Sequence, residues 1–211
     1  MKLSKEARAV TTIVNTSWKR LQVEQMVHDQ VYHADIYYMD NPHKVEHFAL
    51  HFSKYAGRIV ECEMVSSPHE RSRQYIRTMC DTLAILMGTT FALKIDMDTD
   101  ATDLPGSDIV GEYVAHVGRI AGAYLATIGD RRTHMEDMGL NIAPRDDIFI
   151  ACRKLRNLAV FVLCQMSDDD PIDLYRQSLK RTRERHFAHE YLNGLYESRL
   201  GEILSTVSVD N

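Results

Sequence analysis

A chain of 211 residues, 45 % hydrophobic and 26 % charged, has the size and composition of one globular domain with a sizeable core. Its formal charge of −5 argues against a general nucleic-acid binder, and no apolar run is long enough to span a bilayer. Cys62, Cys80, Cys152 and Cys164 fall in apolar runs without Cys-x-x-Cys spacing and no secretory leader is evident, which argues against a disulfide framework and for buried thiols in a cytoplasmic protein.

In chain order, an amphipathic stretch from about Ser4 to Met39, with a break near Arg20, opens the sequence. A second helix is expected from Asn41 to about Ser66, because Val45, Phe48, Phe52, Ala56, Ile59 and Val60 keep the three-four spacing of one helical face. A third runs from Pro68 to about Lys94, with Ile76, Met79, Cys80, Leu83, Met87 and Phe91 inward. Asp96 to Gly106 is acidic, contains Pro and Gly, and reads as a loop. A fourth helix spans about Asp108 to Ile128, followed by a polar connection to Pro144. A fifth covers Arg145 to Met166, and a sixth starts at Pro171 and reaches Ser205 with a bend at Gly194.

The starts are well marked. Asn41-Pro42, Ser67-Pro68, Ser107-Asp108 and Asp170-Pro171 each offer a side chain that caps free backbone N–H groups, three of them with proline at the first helical position. Glu70 adds the capping-box spacing to Ser67. Strand alternation does not persist anywhere, and no Asp-Gly hairpin turn occurs. The expectation is an all-α bundle of about six helices, one domain over residues 1–211. Ala56-Gly57-Arg58-Ile59 matches Val117-Gly118-Arg119-Ile120, and Thr82-Leu83-Ala84-Ile85 resembles Asn157-Leu158-Ala159-Val160, which suggests two related helix pairs over 41–96 and 108–170.

Bundles carry their chemistry on facing helices. His43, His47 and His51 stand at i, i+4 and i+8, and Lys54 and Arg58 extend their stripe. Arg73, Arg77 and Asp81 are spaced by single turns on the next helix. Packed as a hairpin, the two helices would present a basic, imidazole-rich surface to phosphate, with arginine gripping its oxygens in a fork and lysine adding a point charge. The same spacing also describes a solvated face. A metal-binding alternative draws on His43, His47, His51, Glu112 and His116. His28-Asp29 is a dipeptide that metal-dependent phosphohydrolases use, but alone it reads as structural. Arg176 to His186 is the densest basic run, without interleaved aromatics for base stacking, and reads as a solvated face.

The segment HFALHFSKYAGRIVECE, followed by YIRTMCDTLAILMGTTFALKIDM, resembles the core of the MazG-like all-α nucleoside triphosphate pyrophosphohydrolases. That family carries Glu-Glu-x-Gly-Glu-Leu on one helix, Glu-Glu-x-x-Asp on the next, and then an apolar run ending in Gly-Ile-Asp. Gly57 and Ile59 hold the Gly and Leu places, Asp81 the Asp place, and Lys94-Ile95-Asp96 the end. The similarity covers Pro42 to Asp96, about a quarter of the chain. It implies nucleotide or related phosphorylated ligands, Mg²⁺, and an oligomer. The family's other acidic positions carry Tyr55, Arg58 and Thr78 here. Two arrangements follow. Phosphates are held directly by Lys54, Arg58, Arg73, Arg77, His47 and His51, or a shifted site uses Asp81 and Glu61 as Mg²⁺ ligands, with Glu63 beside them as a catalytic carboxylate. The rival from another class is a non-enzymatic helical interaction or inhibitor protein, its ten Tyr and ten Met supplying adaptable contact surface.

Overall fold

The computed structural model describes residues 3–98, 102–125 and 145–206. Those residues form helices and no strand. In order they are α1 (Lys5–Asn15), α2 (Trp18–Tyr32), α3 (Ala34–Tyr37), α4 (Asn41–Glu63), α5 (Pro68–Ala92), α6 (Ile109–Gly118), a π-helical stretch (Arg119–Leu125), α7 (Arg145–Met166), α8 (Pro171–Glu184) and α9 (His189–Thr206). The all-α class holds, with more helices among the described residues than the six expected: the N-terminal stretch breaks at Thr16–Ser17 and again at His33, and the C-terminal stretch breaks once. Ser17 caps α2 by accepting from the Arg20 N–H at 3.3 Å, which ends α1 earlier than Arg20. The long C-terminal stretch breaks between Glu184 and His189, while Gly194 lies inside α9. The polar connection at 129–144 lies outside the described residues.

The cap signals mark α5 and α8 as expected. Ser67 Oγ accepts from the Glu70 N–H at 3.4 Å, and Asp170 Oδ1 accepts from the Ile172 and Asp173 N–H groups at 2.8 and 3.1 Å. At α4 the cap is Asp40 rather than Asn41, its carboxylate accepting from the His43 N–H at 2.9 Å. At α6 Asp108, not Ser107, accepts from the Gly111 N–H at 2.9 Å. A Cβ on Gly111 would collide with that carboxylate, so the glycine is what lets the cap fold over the helix end.

α4 and α5 form a hairpin; α5 also packs on α7, and α4 on α6 and the π-helical stretch. The shared core includes Phe52 and Ile59 of α4, Leu83, Leu86 and Met87 of α5, Tyr113 and Val117 of α6, and Leu155, Leu158 and Leu163 of α7. Of the two four-residue matches, the first falls mid-α4 and at the junction of α6 with the π-helical stretch, the second within α5 and α7.

α2 is positioned differently. One side packs on α5, and the other, through Val23, Val27, Val31 and Tyr32, packs on Tyr196 and its apolar neighbours in α9. A helix sandwiched this way normally reads apolar all round. α2 instead buries Gln22, Glu24, Gln25 and His28, each of which then needs a partner inside the protein.

α5 ends in a two-bond αL cap. The Ile95 N–H donates to the Thr90 carbonyl at 2.8 Å and the Lys94 N–H to that of Phe91 at 3.1 Å. Lys94 itself has φ 53°, a left-handed conformation that usually selects glycine. Lys94→Gly is therefore expected to raise stability, by up to about 1 kcal/mol after the extra unfolded-state freedom of glycine is counted. Denaturant titration checks this, and a fall in midpoint would contradict it.

Candidate functional site

Three of α2's buried polar groups are accounted for. The Gln22 amide donates to Thr90 Oγ1 at 2.8 Å and to the Ile95 carbonyl at 3.0 Å. Glu24 receives a forked pair from Arg176, both bonds 2.9 Å, which draws a member of the basic 176–186 run into a structural role. Gln25 lies mid-chain in a relay: the Tyr175 hydroxyl donates to Gln25 Oε1 at 2.8 Å, and Gln25 Nε2 donates to Asp29 Oδ1 at 2.7 Å. His28, 2 % exposed, keeps Nδ1 at 3.4 Å from Asp29 Oδ1, while its Nε2 has no hydrogen-bond partner.

His28 and Asp29 face a cavity of about 330 Å³ between α2, α4, α5 and α8. His33, His47, His51 and Asp81 line it too. His33 gets there through the break between α2 and α3. Five residues after His28 on an unbroken helix it would point about 140° away, but at φ −133°, ψ 49° the chain turns and brings the two rings to 5.3 Å. His47 and His51 lie one turn apart on α4 with ring centroids at 4.4 Å. Ligand atoms of His28, Asp29 and His33 all lie within 4.8 Å of one another.

Burial dominates the electrostatics. It pushes His33 and His47 below the usual imidazole value, and with help from Lys54 pushes His51 down to about 4. At neutral pH these rings are uncharged, the form that offers a lone pair. One lone pair of His51 is used: Nδ1 lies 3.1 Å from the Tyr55 hydroxyl and 3.3 Å from Lys54 Nζ.

A second cavity, about 710 Å³, lies against the first and shares Asp29, Ile36 and Phe48 with it. Apolar groups such as Val23, Met26 and Phe91 line it together with Lys19, Lys44, Lys94 and Asp96. Lys44 Nζ donates to the Tyr37 carbonyl at 2.9 Å and lies 5.6 Å from the centre of the Tyr37 ring.

The residues singled out from the sequence divide. His47, His51 and Asp81 line the smaller cavity. Arg58 reaches its edge by pairing with Asp81 at 2.7 Å, both side chains about a quarter exposed. Lys54 is exposed beside His51, Arg77 is exposed, and Arg73 pairs with Glu70 at 2.7 Å. Glu61 and Glu63 are exposed near the end of α4 and outside the cavity, and Glu63 accepts from the Tyr75 hydroxyl. Neither joins Asp81 in a group of potential metal ligands among the described residues. His43 is exposed against the Asp40 carboxylate at 2.7 Å, and Glu112 and His116 do not line the cavity. The sequence reading leaves His28-Asp29 as structural, names Lys94 only as part of the end of the MazG-like segment, and contains nothing on His33 or Lys44. The dipeptide was the one available sign.

No family model, curated protein or solved structure matches the chain. Among the described residues no helix is long and apolar enough to cross a membrane.

Proposed function

We propose that the chain binds a nucleotide or a related phosphorylated small molecule across the two adjoining cavities. The observation that carries this is their pairing: a roomy, partly apolar cavity edged by three lysines shares a wall with a small one lined by imidazoles and carboxylates. Ligand pockets of about 300–1,000 Å³ with an apolar lining and a few placed polar groups are the usual form of a small-molecule site. The aromatic faces of Phe48, Phe91 and Tyr37 suit a planar base, and Lys19, Lys44 and Lys94 suit anionic oxygens. Lys94 adds a separate reason, since a residue kept in a left-handed conformation at a cavity wall is a common mark of function. The MazG-like resemblance of residues 42–96 points to the same ligand class, and Mg²⁺-dependent pyrophosphohydrolysis is its strongest form.

Thermal unfolding against a nucleotide panel, each member with Mg²⁺ and with chelator, tests this. Binding to the native state alone adds about 2.7 kcal/mol at a hundred times the dissociation constant. At least one nucleotide is expected to stabilise the wild type, and Lys44→Ala and Lys94→Gly are expected to shrink that gain. Pyrophosphate release from a stabilising triphosphate then tests hydrolysis. A panel that shifts nothing would leave the interaction-protein alternative, for which Phe187 (95 % exposed) and Tyr191 (76 % exposed) at the α8–α9 turn are the first surface to probe.

A further inference from the structure

We infer that His28, Asp29 and His33 form a binding site for a transition-metal ion at the bottom of the smaller cavity. Their ligand atoms are gathered within 4.8 Å of one another. Neighbouring ligands of a tetrahedral ion held at about 2.1 Å are about 3.4 Å apart, so side-chain rotations that draw the three atoms together by about an ångström close the set.

The independent sign is the unsatisfied His28 Nε2. Buried ring nitrogens are almost always paired, and the other buried polar groups on the same side of α2 have their partners. The Tyr32 hydroxyl and Arg183 Nε are unpaired as well, but neither residue lines the cavity: Tyr32 lies tilted against Tyr196, and Arg183 lies 4.3 Å from the centre of that ring. His28 Nε2 differs because its side chain lines a polar cavity beside a carboxylate and a second imidazole.

The surroundings have the form of an outer shell. Metal-bound carboxylates and histidines are held in place by further hydrogen bonds. Asp29 has such a holder in the Tyr175–Gln25 relay, which fixes Oδ1 through an N–H donor. The donor set decides the ion. Two imidazoles and one carboxylate suit Mn, Fe, Co, Ni or Zn, whereas Mg²⁺ prefers an all-oxygen shell. With three protein ligands, the ion keeps coordination positions facing the cavity, where water or a phosphate oxygen binds. His47, His51 and Asp81 line the same cavity, Asp81 in its pair with Arg58.

Cobalt is the probe, because Co²⁺ bound to nitrogen ligands absorbs visible light and reports its own coordination. Chelator-stripped full-length protein is titrated with Co²⁺ alone, with no nucleotide present, so a failure here is separate from a failure of nucleotide binding. The expected result is a saturable visible band with about one ion per chain, displaced by Zn²⁺. His33→Ala, at a half-buried position, is expected to keep the native circular dichroism spectrum and lose the band, and Asp29→Asn is expected to weaken Co²⁺ binding at least about tenfold. His43→Ala, outside the cavity, leaves the titration unchanged. A natively folded wild type giving no band, or a band that persists in the folded His33→Ala variant at unchanged affinity, overturns the site.

Discussion

Arg156→Ala is expected to cost about 3–5 kcal/mol, close to the limit a single substitution reaches in a marginally stable domain. Arg156 stands in α7 with no exposed surface. Its guanidinium donates to the Met97 carbonyl and, through Nε at 2.9 Å, to Asn157 Oδ1, and lies 4.8 Å from the centre of the Trp18 ring. Burial pushes its pKa down to about 10, which leaves it charged at neutral pH. Alanine removes the charge but also opens a cavity between α2 and α7 and leaves the Met97 carbonyl without that donor. These are two separate penalties, one of volume and one of an unmade hydrogen bond. Arg156→Met, which fills most of the space, isolates the second and is expected to cost about 1–3 kcal/mol. Denaturant unfolding of both variants gives the numbers. A loss under about 1 kcal/mol for Arg156→Ala would mean that the segment around Met97 relaxes freely and does not pin α2 to the bundle. A cycle with Trp18→Phe would separate the cation–π share, about 0.5–2 kcal/mol.

That contact also shows where sequence reasoning stops. The hairpin of α4 and α5 was legible because its information is local: proline-marked starts, a capping serine and a three-four apolar face. The breaks were less so. Nothing about Thr16 or His33 as residue types ends a helix, and the first break serves a distant segment: Asp98 Oδ1 accepts the Trp18 N–H at 2.6 Å. The site was half legible for the same reason. The α4 stripe predicts His47 and His51 on one face. It contains nothing about α2, whose buried polar residues read as an ordinary amphipathic helix until α9 covers their other side. Arg58 and Asp81 were expected to grip phosphate and metal. In the folded chain they face each other, so either role first requires this pair to open or to be shared with a ligand.

The second large effect is expected at Gln25, which is 4 % exposed and joins three elements of the argument: α8, α2 and the candidate ion. Gln25→Leu keeps the volume but removes both ends of the relay. The Tyr175 hydroxyl, itself fully buried, loses its acceptor, and Asp29 loses a donor. Unsatisfied buried groups of this kind cost about 1–3 kcal/mol each, so a loss of about 2–4 kcal/mol is expected. Tyr175→Phe removes one hydroxyl, leaves the Gln25–Asp29 bond in place, and should cost only about 1–2 kcal/mol. The two variants therefore separate stability from positioning. If Gln25 orients Asp29, Gln25→Leu weakens Co²⁺ binding about 10–100-fold at temperatures where it is still folded, while Tyr175→Phe weakens it far less. If Gln25 merely fills the seam between α2 and α8, both variants lose stability and bind Co²⁺ like the wild type. Stability alone cannot tell the two cases apart, because the same hydrogen bonds serve both. The cobalt affinity of the folded variant can, since it depends on where the Asp29 carboxylate points and not on how much free energy holds it there.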